Sequence, residues 1–210
     1  MKIALMNEFS QAGKNPVILQ ELQAVGAEQN HQIFNVGMDG DNDHRLTYIH
    51  LGIIASLLLN ARAVDFVVSG CGTGQGALMS LNAYLGVCCG YCIDPADAYL
   101  FAQINNGNAL ALPFAKGFGW GAELNIRYIF EKAFTGVTGQ GYPPERRESQ
   151  VANAGILNSV KAATGKPYLE GMEALDPELV KQAVGGERFQ QCFFEHCQDK
   201  DIEAFVRRFV

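Results

Sequence analysis

The stretch that most restricts how this chain can fold is Ser69-Gly70-Cys71-Gly72-Thr73-Gly74-Gln75-Gly76. Upstream, residues 64–68 form a short apolar, β-branched run broken only by Asp65, the composition of a buried parallel strand. Downstream, residues 77–85 are rich in Ala, Leu and Met and read as a helix. The stretch between them is therefore expected to be a strand-to-helix turn at the carboxyl edge of an open α/β sheet, where such sheets bind ligands. Glycines permit positive φ and leave backbone N–H groups free to face an anion. A single thiol, Cys71, sits among them at the positive end of a helix, which favours its thiolate.

The rest of the chain alternates in the same way. Further strands are expected at residues 2–6, 32–36, 87–93 and 109–112, and further helices at 16–28, 47–60, 94–104 and 122–134. Strict alternation implies an α/β fold, a Rossmann-like three-layer α/β/α arrangement around a five-stranded parallel sheet. A Gly/Pro-rich break at residues 136–144 then divides this core, residues 1–136, from a helical C-terminal extension, residues 137–210. Helices are expected there at 148–164, 176–184 and 199–209, packing on the core or on a second subunit. The apolar residues Phe189, Phe193, Phe194, Phe205, Val206 and Phe209 of this helical extension would leave a sizeable patch on a monomer, so a homodimer or larger homo-oligomer is expected.

A formal net charge of −6 over 210 residues argues against nucleic acid or an anionic membrane as the main partner. The longest apolar run, residues 51–59, is too short to span a bilayer, and Met1 leads directly into a strand without a signal pattern. A cytoplasmic location is expected. The six cysteines then default to buried thiols. Cys89 and Cys92 have redox-motif spacing, but residues three apart on a strand face opposite ways. Cys192, His196 and Cys197 lack a second Cys/His pair and read as a solvated helix, so no metal site is expected. His31, His44 and His196 also read as solvated.

Gly72, Gly74 and Ala77 match the dinucleotide pattern G-x-G-x-x-A, and Asp94 ends the next strand where a ribose-binding acid would stand. An NAD-binding module is thus the rival reading. It leaves Cys71 unexplained, and the motif follows the third strand rather than the first. No cofactor is expected.

The central stretch, followed by Asn82, Asp94-Pro95 and then Asn105-Asn106-Gly107-Asn108-Ala109-Leu110-Ala111, resembles the type B ribose-5-phosphate isomerase family. That family also contains the galactose-6-phosphate isomerase subunits, and the resemblance runs over residues 2–134. It implies a dimeric, metal-free aldose–ketose isomerase that takes a small sugar and works through an enediol. By the resemblance Cys71 is the base moving a proton between C1 and C2. Other members use a Glu slightly further along, where Ala77 stands here. Proton abstraction beside a carbonyl also needs donors for the enediolate oxygen, which Thr73 and the N–H groups of Gly72, Gly74 and Gly76 could supply. The family pattern further implies substrate contacts from Asn7, Glu8, Tyr48, Asn105 and Asn108, with Arg146 or Arg147 as an anion ligand.

Three positions depart from the pattern. The Asp-His pair after the first strand is Glu8-Phe9, the ring-opening His is Ile104, and Tyr142 falls near a missing phosphate-binding Arg. Phenylalanine cannot hold a phosphate dianion, whose unpaired desolvation would be prohibitive. An open-chain, unphosphorylated keto-uronate is the expected substrate, as in the similar 4-deoxy-5-hexosulose-uronate ketol-isomerases, which share Gly117-Phe118-Gly119-Trp120-Gly121-Ala122-Glu123-Leu124-Asn125. A sugar phosphate is the alternative. A silent ligand-binding subunit is a third class, against which the retention of Cys71 and Thr73 argues.

Overall fold

The computed structural model describes residues 1–210. Short, largely apolar segments form strands β1 (Lys2–Asn7), β2 (Gln32–Asn35), β3 (Phe66–Cys71), β4 (Cys89–Tyr91) and β5 (Ala109–Pro113). They make one all-parallel sheet in the order β2-β1-β3-β5-β4. The connecting helices are α1 (Asn15–Glu28), α2 (Tyr48–Asn60), α3 (Gln75–Asn82), α4 (Pro95–Leu100) and α5 (Ala122–Ala133). The period of two along each strand sorts side chains onto the two faces. Ala4, Met6, Val67 and Cys71 join α2 and α3, while Ile3, Leu5, Val68 and Leu112 join α1 and α5. Cys89 and Cys92 fall in these two opposite cores, so their side chains point to different faces of the sheet.

The strand expected over residues 87–93 is shorter: Asn108 takes the N–H of Cys88 just before it, and Asn82 holds its outer edge by taking both backbone groups of Cys89 with its amide. After α5 come α6 (Arg147–Thr164), α7 (Tyr168–Glu173), α8 (Pro177–Val184), α9 (Glu187–His196) and α10 (Lys200–Arg207). Helix α7 has no counterpart in the sequence reading, and α9 extends upstream of the helix read around Cys192 and His196.

The apolar faces expected to need a second subunit are buried within the protomer instead. Phe189, Phe193, Phe205 and Val206 share one core with Leu51, Ile54 and Leu58 of α2. This explains why α2 is apolar all round: the sheet covers one side and the C-terminal helices the other, so every residue from His50 to Leu59 is buried. No helix is long and apolar enough to cross a membrane. Helix α6 buries none of its residues and carries Val151, Ile156, Leu157 and Val160 exposed on its surface.

Nor is the Cys192–Cys197 segment solvated. Cys192 is buried, its thiol pushed up to about 12 by burial, and the His196 ring stands edge-on to Phe34 at 4.9 Å. His44 Nε2 meets the Gln182 carbonyl, and His31 packs edge-on against Phe134 at 5.9 Å.

Helix α2 starts on an unusual cap. The Thr47 N–H donates to His50 Nδ1 at 2.9 Å, with the Thr47 hydroxyl 3.0 Å from the same nitrogen. Burial, then the neighbouring His44, holds the His50 pKa below its ordinary value of 6.5. Protonating Nδ1 would remove the acceptor. Because the folded-state value is lowered, this contribution is complete above about pH 6.5 and fades as pH falls through the folded value. Gln at this position can accept the same bond without titrating. Thermal melts from pH 7.5 to 5 are therefore expected to show a steeper loss of stability for the wild type than for His50→Gln.

Candidate active site

Chain direction creates the site. From β1 the chain passes to β2 on one side and returns to β3 on the other, with Asn7 opposite Gly70 in the parallel register. The crevice outside the carboxyl ends of β1 and β3 is thus a topological switch point, where α/β sheets bind ligands. Cys71 is the last residue of β3 and faces it from the α2/α3 side, 8% exposed.

The turn is shorter than the expected eight-residue stretch. Ser69, Gly70 and Cys71 belong to β3, α3 begins at Gln75 rather than Ala77, and only Gly72-Thr73-Gly74 lies between. Gly74 makes this possible by capping the helix with φ of 76°. A Cβ there would lie 2.7 Å from the Tyr91 ring and 2.9 Å from the Leu112 carbonyl carbon. At Gly76 the missing side chain admits the Tyr48 ring, whose nearest atom lies 3.1 Å from where a Cβ would be. Tyr48 therefore rests on the start of α3.

The turn is tied from behind. The Gly72 carbonyl accepts from the N–H groups of Ala115 at 2.9 Å and Lys116 at 3.0 Å, and the Cys71 carbonyl accepts from Phe114 at 2.9 Å. In front, the Thr73 hydroxyl lies 3.4 Å from the Gln75 N–H. The first bond of α3 runs from the Leu78 N–H to the Gly74 carbonyl, so the N–H groups of Gly76 and Ala77 lie outside the helix's own ladder. Burial raises the pKa of Cys88, Cys89, Cys92, Cys192 and Cys197, which disfavours each as a thiolate.

At the end of β1, Asn7 is fully buried with both ends of its amide engaged. Nδ2 donates to the Gln11 carbonyl at 3.0 Å, and Oδ1 accepts from Asn15 at 2.9 Å. Glu8, also buried, caps the 3₁₀ turn Phe9–Lys14 by accepting the Ser10 N–H at 2.9 Å and its hydroxyl. Both residues shape the rim through the backbone.

The rim also holds residues the sequence reading missed. The Arg45 guanidinium lies 3.9 Å over the centre of the Phe9 ring. Lys14 Nζ donates to Gln11 Oε1 at 3.0 Å and to the Phe114 carbonyl, and stands 4.6 Å over the Phe118 ring. No local motif marks these cations, because the fold alone brings Arg45 onto Phe9 after β1 and Lys14 onto the segment after β5.

Asn105, Asn108 and Arg146 lie elsewhere. Ala109 pairs with Val67 and Pro113 with Cys71, so Asn108 precedes the opposite end of β5. Four strand residues, about 13 Å, separate those two ends. The Asn108 amide accepts the Cys88 N–H and donates to the Gly86 carbonyl, each at 2.8 Å. Asn105 ends a π-helical turn, Phe101–Asn105, and lines a cleft of about 430 Å³ with Asn106, Gln150, Asn153 and Asn158. Arg146 is exposed at the start of α6. Asp94, the ribose ligand of the dinucleotide reading, caps α4 by accepting the Asp97 N–H at 2.9 Å.

Residues 3–136 match the sequence profile of the ribose/galactose isomerase family, and residues 163–209 match a second profile described as ribose-5-phosphate isomerase. The fold superposes on a ribose-5-phosphate isomerase from Vibrio parahaemolyticus with a TM-score of 0.98 and 63% identity, covering 100% of this chain and 99% of that one. It also superposes on a 4-deoxy-L-threo-5-hexosulose-uronate ketol-isomerase complexed with a tartrate, with a TM-score of 0.97, 48% identity and the same coverage. A type B ribose 5-phosphate isomerase from Trypanosoma cruzi shares the fold at 16% identity and a TM-score of 0.65, covering 78% of this chain and 98% of that one. A comparison with curated proteins gives no match.

The turn geometry makes a direct prediction. Gly74→Ala combines a positive φ with a backbone collision, and is expected to lower unfolding free energy by about 1–3 kcal/mol in urea titrations.

Proposed function

The chain is a sugar isomerase of the ribose/galactose isomerase family, and from that premise we propose that Cys71 is its base and an open-chain keto-uronate its substrate. The thiolate removes a proton from the hydroxyl-bearing carbon beside the carbonyl and returns it to the old carbonyl carbon, while the hydroxyl proton passes to the old carbonyl oxygen through the enediol. Aldehyde and ketone exchange places with no net oxidation. The Thr73 hydroxyl and the N–H groups of Gly72, Gly74 and Gly76 hold the enediolate oxygen, an arrangement that acts most strongly where charge develops. Tyr48 forms the pocket wall.

The observation that carries the uronate reading is Phe9 under the Arg45 guanidinium. It supplies a cation suited to a carboxylate at the position where the family pattern has a phosphate-binding His. Lys14 adds a second charge on the same rim. The name of the 63% identical relative favours the second reading, a sugar phosphate. In either case residues 1–136 are the isomerase core, the enzyme works in the cytoplasm on a small sugar, and neither metal nor nicotinamide takes part.

The distance between Cys71 and the group Asn105, Asn108 and Arg146 supports a homodimer in which one protomer's group completes its partner's crevice. Asn105 and Arg146 reach the sugar, and Asn108 braces the turn that carries Asn105.

The test follows C2-proton exchange in D₂O for wild type and Cys71→Ala on 4-deoxy-5-hexosulose-uronate and ribose 5-phosphate. The uronate is expected to be the better substrate, inorganic phosphate a poor inhibitor, and Cys71→Ala slower by at least ~10²-fold with folding unchanged. Faster turnover of ribose 5-phosphate, with phosphate competing in the low millimolar range, would establish the second reading. A shared site predicts complementation: mixing inactive Cys71→Ala with inactive Asn105→Ala is expected to restore about a quarter of wild-type activity, through the one intact site in each mixed dimer. No recovery would place each site within a single protomer.

A further inference from the structure

We infer that Arg188, on the C-terminal helix α9, is a positioning residue for the isomerase site: it fixes the loop between β2 and α2 that presents Arg45 and Tyr48 to the Cys71 crevice. The loop, residues 36–47, has no regular structure and exposes Asp39, Asp41, Asn42 and Arg45.

One guanidinium holds its first half. Arg188 Nε donates to the Asn35 carbonyl at 3.0 Å, Nη1 to Asp39 at 2.8 Å, and Nη2 to both the Gly37 carbonyl at 2.5 Å and Asp43. The neighbouring helix α8 holds the second half. Gln182 Nε2 donates to the Arg45 carbonyl at 3.2 Å, and the Gln182 carbonyl meets the His44 ring.

The loop's other side bears on the site itself. A Cβ on Gly37 would collide with the backbone N of Asn7, the Met38 N–H donates to the Asn7 carbonyl at 2.9 Å, and the Phe9 N–H donates to the Leu46 carbonyl at 2.9 Å. The loop is therefore wedged between α8–α9 and the carboxyl end of β1. The stacking of Arg45 on Phe9 depends on that wedge.

An exposed ion pair on its own contributes little. This one differs in joining two carboxylates and two backbone carbonyls to one rigid fork, a geometry that the point charge of lysine cannot reproduce. Burial opposes ionisation of Asp43, but the His44 N–H, Arg188 and the Asp39 N–H together hold its pKa below the ordinary value.

The inference rests on the Cys71 crevice being the site, not on which sugar enters it. Steady-state kinetics would be measured for wild type, Arg188→Lys, Asp43→Asn, Arg45→Ala and the Arg188→Lys/Arg45→Ala double variant. Whichever of 4-deoxy-5-hexosulose-uronate and ribose 5-phosphate the wild type prefers serves as the probe. Arg188→Lys and Asp43→Asn are each expected to raise KM by about fivefold or more with kcat within about twofold, the pattern of a lost ground-state contact. In the Arg45→Ala background, Arg188→Lys is expected to add less than about twofold, because interactions acting through one residue are not additive. Hydrogen exchange, which needs no substrate, is expected to quicken at residues 38–46 in Arg188→Lys and nowhere in β1 or β3. Unchanged KM, multiplying KM effects in the double variant, or unchanged exchange in the loop would each overturn the positioning role. A Cys71→Ala enzyme that keeps full activity would instead overturn the site assignment.

Discussion

Parallel pairing of β1 with β3 is the constraint on which the rest depends. Asn7 lies opposite Gly70, so the chain's exits from the two strands stand side by side and diverge. Divergence leaves a crevice that neither connection covers. Cys71 closes β3 on one side of it, and the 3₁₀ turn capped by Glu8 closes β1 on the other. A sheet with β3 placed elsewhere would keep every local motif and have no such crevice.

The glycines serve that geometry individually. Gly70 makes room for the Phe114 ring, Gly74 takes a positive φ beside the Leu112 backbone, and Gly76 accommodates Tyr48. Each is needed because another part of the chain occupies the space a side chain would fill. The same close packing brings the segment after β5 within hydrogen-bond reach of Gly72. The turn is rigid on its rear side and presents N–H groups on the front, an arrangement that meets developing charge without reorganising.

The C-terminal helices complete the core and do not merely decorate it. Without α8, α9 and α10 the outer face of α2 would lose the core that its Leu and Ile residues now share with Phe189, Phe193 and Phe205. Burial at this scale stabilises by roughly 1.5–3 kcal/mol per large apolar side chain. The same helices reach the loop beside the crevice through Gln182 and Arg188. Stability of α2 and placement of Arg45 thus come from one packing arrangement.

The sequence by itself determined the alternation of strands and helices, the parallel sheet, the thiol among glycines, and the opposite facing of Cys89 and Cys92. These follow from local periodicity, which depends only on near neighbours in the chain. It placed the turn's boundaries wrongly, because glycine allows a strand to run on through Cys71 and a helix to start at Gln75, and only packing against Phe114 and Tyr91 chooses. It took the buried face of α9 for an oligomer surface and its end at Cys192 and His196 for solvated helix, since an amphipathic pattern shows that a face is buried and not what buries it. Arg45 and Lys14 were equally invisible, because the strand order that brings Arg45 onto Phe9 and Lys14 onto Phe118 is not written in any one segment. Asn105 and Asn108 have the right motif, yet they lie at the far edge of the sheet from Cys71. A parallel strand carries its two ends to opposite edges, so the expected fold already implied this separation. Only the tertiary structure decided that the Asn turn lines a cleft with Gln150, Asn153 and Asn158 of α6, because packing between distant segments is written in no local pattern.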